Sequence, residues 1–97
     1  MYGTVSRYRL KPGTEAQALA LANELDTNPS PGYVGAYMFR LDAGNDEYIS
    51  VGVWSDRDMY RKSAEDERQQ QWFARFRELM AGDPEWNDGE VIWAPRR

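Results

Sequence analysis

Four clusters of turn-forming residues divide this sequence and limit what it can fold into. They lie at residues 11–13, 28–32, 42–46 and 82–84, where Pro, Gly, Asn and Asp are concentrated. Proline removes a backbone donor and Gly tolerates turn conformations, so helices and strands end at such clusters. The chain is too short for two hydrophobic cores, and residues 1–97 are therefore predicted to form a single domain.

Four segments have the alternation and the turn boundaries of β-strands: residues 2–10, 33–41, 48–54 and about 87–94. Only a short turn separates the second segment from the third, which predicts an antiparallel hairpin. The third strand has two unlike faces. One is aliphatic (Ile49, Val51 and Val53), and the other is mixed and aromatic (Tyr48, Ser50, Gly52 and Trp54).

Two further segments have the spacing of helices. Residues 14–26 carry an Ala/Leu stripe, and Thr14 with Gln17 forms a predicted capping box at its start. Residues 56–80 contain neither Gly nor Pro, and their C-terminal half has a strong apolar face. Continued backwards without a break, that face would bury charged side chains, which is costly.

Two helices are therefore expected within the second segment. A short helix is predicted over 56–62, capped by Ser55 with Asp58. The main helix is predicted to follow a break near Ser63, because Ser63 with Asp66 has the spacing of another capping box.

The resulting β-α-β-β-α-β order predicts a ferredoxin-like α+β fold, with one four-stranded antiparallel sheet and its helices on one face. The other sheet face would be open to water, and we expect it to carry much of the aromatic set that includes Tyr48 and Trp54. The largest exposed apolar patch of a typical monomer is only about 300–600 Å². A second copy of the chain is the simplest cover, and the sequence predicts a homodimer.

The absence of two residue types excludes most catalytic chemistry. There is no Cys, so a disulfide framework, a thiolate nucleophile and a cysteine-based metal site are ruled out. There is no His, which removes the commonest proton shuttle, metal ligand and haem ligand. Acidic pairs such as Asp56 with Asp58 are interpreted as helix caps, and we expect neither a metal nor a bound cofactor.

Charge and hydropathy restrict the partners. With 16 acidic and 12 basic residues the net charge is −4, which argues against nucleic acid as the main partner. No apolar run approaches the ~20 residues of a membrane span, so no membrane partner is expected. Residues 1–5 lack the basic and apolar regions of a signal peptide, which predicts a cytoplasmic protein.

The order of several short motifs resembles that of a known family. A Lys-Pro-Gly turn at 11–13 leads into the Ala/Leu helix, and Pro-Gly-Tyr-Val-Gly-Ala-Tyr at 31–37 opens the second strand. The third strand ends in Val-Trp-Ser-Asp at 53–56 and runs into a helix that contains Tyr60. Together they resemble the antibiotic biosynthesis monooxygenase family of dimeric α+β barrels. Its characterised members include cofactor-independent oxygenases of polycyclic phenols and quinols, and haem-degrading enzymes.

The resemblance implies a set of site residues. In the resembling oxygenases a Trp that closes the third strand and a Tyr six residues later line a cavity, positions filled here by Trp54 and Tyr60. The family's Asn four residues before the Trp is replaced by Ser50, and its cavity cation corresponds most nearly to Arg75. The haem-degrading branch uses a His on the second helix, which this chain lacks.

Other side chains are candidates for substrate binding. Gln69 interrupts the apolar stripe of the main helix, and a polar group there needs backbone, water or a ligand as its partner. The remaining candidates are Tyr8, Tyr37, Trp72 and Phe76. Each has a structural alternative: aromatic residues at these spacings commonly fill a core, and Arg75 is more readily explained as a solvated side chain.

Cofactor-free oxygenation fits these residues because it asks little of the protein. A deprotonated phenol passes an electron to dioxygen itself, while the protein binds the ring, stabilises the anion and excludes water. The leading hypothesis is a monooxygenase for a small phenol, quinol or anthrone-type substrate. The alternatives are an isomerase or cyclase that uses the same cavity, and a non-enzymatic binding or scaffold dimer.

Overall fold

The computed structural model describes residues 1–95, which form four strands and three helices. The strands are β1 (Tyr2–Arg9), β2 (Tyr33–Arg40), β3 (Glu47–Trp54) and β4 (Glu85–Glu90). The helices are α1 (Glu15–Thr27), α2 (Arg57–Glu65) and α3 (Glu67–Arg77). The strands build one antiparallel sheet in the order β2-β3-β1-β4, which confirms the predicted ferredoxin-like α+β fold. Within residues 1–95 no helix is both long and apolar enough to cross a membrane.

The core lies between the sheet and the helices and is built around aromatic rings of the central strands. Tyr8 of β1 stacks on Tyr48 of β3, with ring centroids 5.9 Å apart, and meets Phe76 of α3 edge-on at 5.6 Å. The buried cluster consists of Tyr8, Leu10, Ala18, Leu21, Tyr48, Phe76 and Met80. Three members of this cluster, Tyr8, Phe76 and Met80, also line a cavity under the helices.

The prediction that Tyr48 and Trp54 lie on the open side of the sheet is wrong. Both are buried on the side that faces the helices. The apolar part of the open face is instead formed by Val5, Tyr37, Phe39, Ile49, Val51 and Val53, which strand pairing places side by side. The same face also carries the polar residues Arg7, Arg9, Glu47, Glu85 and Asn87. It still presents apolar groups to solvent, since Tyr37 is 72% and Phe39 51% exposed. Alternation separates the two faces of a strand, but it does not say which face meets the helices.

The first two helix starts differ from the predicted capping boxes. The Thr14 side chain does not cap α1, because its hydroxyl donates to the carbonyl oxygen of Lys11 at 2.7 Å. At the start of α2 the cap is Asp56 rather than Ser55, and its carboxylate accepts from the backbone N–H of Met59 at 2.9 Å. A carboxylate at this position also interacts favourably with the helix dipole.

The break between α2 and α3 lies at Asp66, not near Ser63 as predicted. The Asp66 carboxylate accepts from the backbone N–H of Arg68 at 2.8 Å and begins α3. Ser63 stays inside α2, where its hydroxyl is buried against Ser30 at 3.0 Å. A buried hydroxyl pair satisfies Ser63 without a helix end, which the local sequence does not reveal.

The last strand begins earlier and ends earlier than the predicted 87–94. β4 pairs only with β1, and its final partner Glu90 lies opposite Tyr2, the first residue of β1. One more backbone bond, from Val91 N–H to the Met1 carbonyl oxygen at 2.9 Å, ends the pairing. Residues 91–95 do not form a strand. The earlier start puts Trp86 on the helix-facing side, against Phe73.

Candidate functional site

A cavity of about 770 Å³ lies between the helices and the sheet. Every strand and every helix of residues 1–95 contributes to its wall. The wall is largely apolar and aromatic, and the volume is in the range of small-molecule binding sites, about 300–1,000 Å³. The cavity is therefore the candidate functional site.

Trp54 is fixed at the end of β3 and forms part of the cavity wall. Its indole N–H donates to the Ser30 hydroxyl at 3.2 Å, which in turn contacts the hydroxyl of Ser63. The ring extends over Gly52, where an added Cβ would lie 3.1 Å from Trp54 Cζ3. The buried hydrogen bond to Ser30 and the absence of a side chain at Gly52 thus set the orientation of the Trp54 ring.

The loop that supplies Ser30 is itself held against α2. Gly32 has a φ of 82°, which L-residues rarely adopt, and an added Cβ would lie 2.5 Å from Met59 Cβ. The Gly32 carbonyl oxygen accepts from the backbone N–H of Ser55 at 2.7 Å. The Pro- and Gly-rich break of the sequence therefore positions the hydrogen-bond partner of Trp54.

Tyr60 and Trp54 meet in the cavity wall, as the resemblance implies for their positions. The Tyr60 ring meets Trp54 edge-on with centroids 5.2 Å apart, and its hydroxyl donates to Asp88 Oδ1 at 3.0 Å. Burial, and next the hydrogen bond to the Asp88 carboxylate, raise the pKa of Tyr60 to about 12. The phenol therefore stays protonated at neutral pH and acts as a hydrogen-bond donor.

Tyr8 and Ser50 form a second polar group in the wall, on the neighbouring strands β1 and β3. Their hydroxyls are 2.6 Å apart, and the Ser6 hydroxyl donates to the Ser50 carbonyl oxygen at 3.4 Å. Burial raises the pKa of the Tyr8 hydroxyl, an effect that the Ser50 hydrogen bond opposes. Ser50 thus lines the cavity, and its hydroxyl is hydrogen-bonded to the hydroxyl of Tyr8.

Three more predicted binding residues, Gln69, Trp72 and Phe76, line the cavity from α3. Trp72 packs on Phe76 with centroids 5.4 Å apart, and its indole N–H donates to the Leu21 carbonyl oxygen at 2.8 Å. These two rings serve the core and the cavity wall at once. Tyr37 reaches only the rim, since its strand position is on the open face.

Arg75 lies outside the cavity. Its guanidinium is paired with the carboxylate of Glu24 on α1 through two hydrogen bonds of 2.7 and 3.0 Å. Both side chains are at least half exposed. Arg75 therefore ties α3 to α1 at the surface, and we assign it no role toward a bound ligand.

Several cavity residues had no sequence signal that singled them out. They are Thr4, Met38, Phe73, Trp86 and Asp88. Asp88 lies in the predicted last strand, but its partner Tyr60 is 28 residues away in sequence. The Thr4 hydroxyl is buried without a hydrogen-bond partner in residues 1–95. Only the pairing of β1 with β4 brings Thr4 and Asp88 opposite each other.

The charged groups at the cavity are acidic. Asp26 and Asp88 line it, whereas no Lys or Arg of residues 1–95 does. These residues also contain no group of three or more carboxylates arranged to hold a metal ion. A bound ligand would meet aromatic rings, hydroxyl groups and two carboxylates.

The fold and the cavity define a small ferredoxin-like α+β protein that encloses a ligand-sized space between sheet and helices. Residues 1–75 match the family model of the antibiotic biosynthesis monooxygenases, and the chain belongs to this family. No curated protein matches the chain by sequence.

Solved structures have the same fold at low sequence identity. A variant of SnoaB, a cofactor-independent oxygenase from Streptomyces nogalater, is 17% identical with a TM-score of 0.80, over 96% of this chain and 94% of that one. A conserved protein from Methanosarcina mazei is 14% identical with a TM-score of 0.76, over 91% and 89%. A structure described as an antibiotic biosynthesis monooxygenase is 16% identical with a TM-score of 0.74, over 95% and 99%.

Proposed function

We propose that this protein is a cofactor-independent monooxygenase that oxidises a small phenol, quinol or anthrone-type substrate with dioxygen. The observation that carries the proposal is the aromatic cavity in which Trp54 and Tyr60 are in contact. Membership of the monooxygenase family and the shared fold of an oxygenase from Streptomyces nogalater support it. The chain lacks Cys and His, so the proposed reaction uses the reactivity of the substrate.

The reaction balances without a cofactor. With an anthrone-type substrate the ring methylene loses two hydrogens, one atom of dioxygen becomes the carbonyl oxygen at that carbon, and the other atom leaves as water. With a phenol the two hydrogens come from a ring C–H and the O–H, and the product is a quinone. The ring system supplies the electrons once it is deprotonated. The protein supplies a flat apolar wall from Trp54 and a hydrogen-bond donor from the Tyr8–Ser50 pair. The Tyr60 hydroxyl donates its proton to Asp88 and offers the substrate its oxygen as an acceptor. Donors held in place before the reaction stabilise charge that develops on substrate oxygen atoms.

The proposed working unit is a cytoplasmic homodimer. The open face exposes Tyr37, Phe39 and Val5, and a second copy with the same face would cover them in a closed two-fold arrangement. Two sheets packed face to face would form the dimeric barrel that the family resemblance implies. Such a dimer leaves the cavity on the far, helix-covered side of each sheet.

A second candidate function is ligand binding or isomerisation without oxygen. It is favoured by the charge of the site, because no Lys or Arg within residues 1–95 lines the cavity. Ser50 also stands where the resembling oxygenases have Asn. In this alternative the cavity holds the same class of hydroxyaromatic ligand.

Oxygen uptake separates these functions. Purified protein is mixed with a panel of anthrones and menadiol-type quinols in an oxygen electrode, and the products are identified by mass spectrometry. We expect one dioxygen consumed per substrate, and a product richer by one oxygen and poorer by two hydrogens. Trp54→Ala should reduce the rate at least tenfold, since it removes the indole ring that contacts Tyr60 in the cavity wall. Arg75→Gln is the control and should keep the full rate because Arg75 lies outside the cavity.

The other outcomes are equally distinct. An isomerised product without oxygen uptake would support the isomerase alternative. Quenching of Trp fluorescence by the panel without any turnover would support the binding alternative. No uptake across the whole panel would refute the oxygenase proposal.

A further inference from the structure

The carboxylate of Asp88 is held at one oxygen and left open at the other. Tyr60 donates to Oδ1 at 3.0 Å, and no other side chain or backbone group of residues 1–95 donates to the carboxylate. Asp88 lies on the edge strand β4, on the helix-facing side, and lines the cavity at a solvent-exposed position. Oδ2 is therefore available to accept a hydrogen bond from a ligand.

No cation neutralises this carboxylate within the described chain. None of the ion pairs of residues 1–95 includes Asp88. On α2, Arg57 is directed to the Tyr2 ring, 5.5 Å from its centroid, and Tyr2 itself packs against Tyr60 at 5.3 Å. On β4, Glu90 follows two residues after Asp88 and adds a second negative charge to this side of the strand.

A free carboxylate beside aromatic rings discriminates between two forms of one ligand. The hydroxyl of a neutral phenol donates a charge-assisted hydrogen bond to a carboxylate, which is stronger than a bond between neutral groups. The corresponding phenolate has no proton to donate, and its charge repels the carboxylate. The edge-on contact between Trp54 and Tyr60 places a ring wall directly beside this acceptor.

We infer that Asp88 is the specificity-determining residue of the cavity: with Tyr60 it recognises a ligand hydroxyl and selects the un-ionised form of a hydroxyaromatic compound over its anion. The inference rests on the proposed function only for the class of ligand. It assigns a role to a residue that the family resemblance leaves without one. In the oxygenase, the substrate would enter neutral and transfer its proton to the Asp88 carboxylate inside the cavity.

The test uses para-nitrophenol, whose neutral and ionised forms absorb at different wavelengths. The ionisation midpoint of the bound probe is measured by absorbance titration and compared with that of the free probe. Binding is followed by Trp fluorescence. With the wild-type protein we expect the bound midpoint to be higher by about one pH unit, the size of a like-charge effect on a neighbouring acid. That shift equals an approximately tenfold preference for the neutral form.

Two variants locate the effect. Asp88→Asn keeps a side-chain oxygen for Tyr60 but removes the charge, and it should lower the bound midpoint by at least about half a pH unit relative to wild type, leaving only the shift caused by desolvation in the apolar cavity. Asp26→Asn removes the other cavity carboxylate and should leave most of the shift. Para-nitroanisole, which has no hydroxyl proton, should bind the wild type about tenfold more weakly than neutral para-nitrophenol, the low end of a charge-assisted bond.

Three results would overturn the inference. The first is a wild-type protein that does not raise the ionisation midpoint of the bound probe. The second is an equal loss of this shift in Asp88→Asn and Asp26→Asn. The third is a probe that does not bind at millimolar concentration. Titrations are made under nitrogen, so they do not depend on oxygenase activity. A protein that consumes no oxygen and still prefers the neutral probe would refute the proposed function alone. An active oxygenase without that preference would refute only this inference.

Discussion

At the scale of single residues, the site depends on side chains that other side chains hold in place. Trp54 is oriented through its indole N–H by Ser30, and Tyr60 through its hydroxyl by Asp88. Ser30 comes from a loop and Asp88 from the edge strand, far from their partners in sequence. The cavity wall is therefore sensitive to residues that a motif search passes over.

Ser30 provides a direct test of this dependence. Ser30→Ala leaves the buried indole N–H of Trp54 without a partner, which costs about 1–3 kcal/mol of the free energy of unfolding. It should also broaden the near-ultraviolet circular dichroism of the Trp side chains, because the ring is no longer fixed. Chemical denaturation and circular dichroism measure the two effects.

Ser63→Ala is the matched control. It removes the other hydroxyl of the pair but leaves Ser30 as the acceptor for Trp54. It should lower stability less and keep the near-ultraviolet spectrum. Equal spectra for both variants and wild type would contradict the orienting role of Ser30.

At the scale of elements, charged side chains fasten α1 to the rest of the fold from both ends. Near its start, Glu15 accepts from Arg40 of β2 at 2.6 and 2.8 Å and from the Tyr48 hydroxyl of β3 at 2.8 Å. Near its end, Glu24 is paired with Arg75 of α3. α1 also forms part of the cavity wall, but none of these charged side chains lines the cavity.

The Glu15 contact predicts a pH dependence. The hydrogen bonds from Arg40 and then Tyr48 lower the pKa of Glu15 from 4.5 to about 2. A carboxyl whose pKa is lower in the folded state stabilises the fold above its ordinary pKa and loses this contribution as the pH falls. We expect Glu15→Gln to be less stable than wild type at pH 7, with the difference shrinking between pH 4.5 and about 2.

Urea unfolding at a series of pH values measures this difference. Glu67→Gln, in the first turn of α3, changes the same charge without an ion pair to residues 1–95 and is the control. A Glu15→Gln deficit that does not vary between pH 7 and pH 2 would contradict the assignment.

At the scale of the whole molecule, the two faces of the sheet carry different kinds of side chain. The helix-facing side carries the aromatic and hydroxyl groups of the cavity, and the open face carries aliphatic groups with two exposed rings. An apolar sheet face left in water favours association with another surface. The proposed homodimer follows from this division.

A charge at the centre of the open face tests the dimer. Val5 of the central strand is 43% exposed, so Val5→Lys is tolerated by the isolated fold but places two like charges in a two-fold interface. We expect wild type to sediment as a dimer and Val5→Lys as a folded monomer. Lys11→Ala, in the turn after β1, is the control and should remain dimeric. A monomeric wild type in dilute solution would refute the homodimer.

Much of the fold of this protein is determined by local features of the sequence. The Pro- and Gly-rich breaks mark where each element ends, and the spacing of apolar residues determines strand or helix, so the element order and the ferredoxin-like fold follow from the sequence. The family resemblance implied that Trp54 and Tyr60 line one cavity, and the two side chains do line it and are in contact.

The tertiary structure decided what depends on distant partners. Contacts between residues far apart in the chain decide which face of β3 meets the helices and where β4 ends. They also decide that Arg75 pairs with Glu24 and that Asp88 accepts a hydrogen bond from Tyr60. Periodicity fixes the direction of a side chain relative to its own backbone, whereas its partner depends on how the elements pack. The charge of the cavity therefore emerged only from the fold.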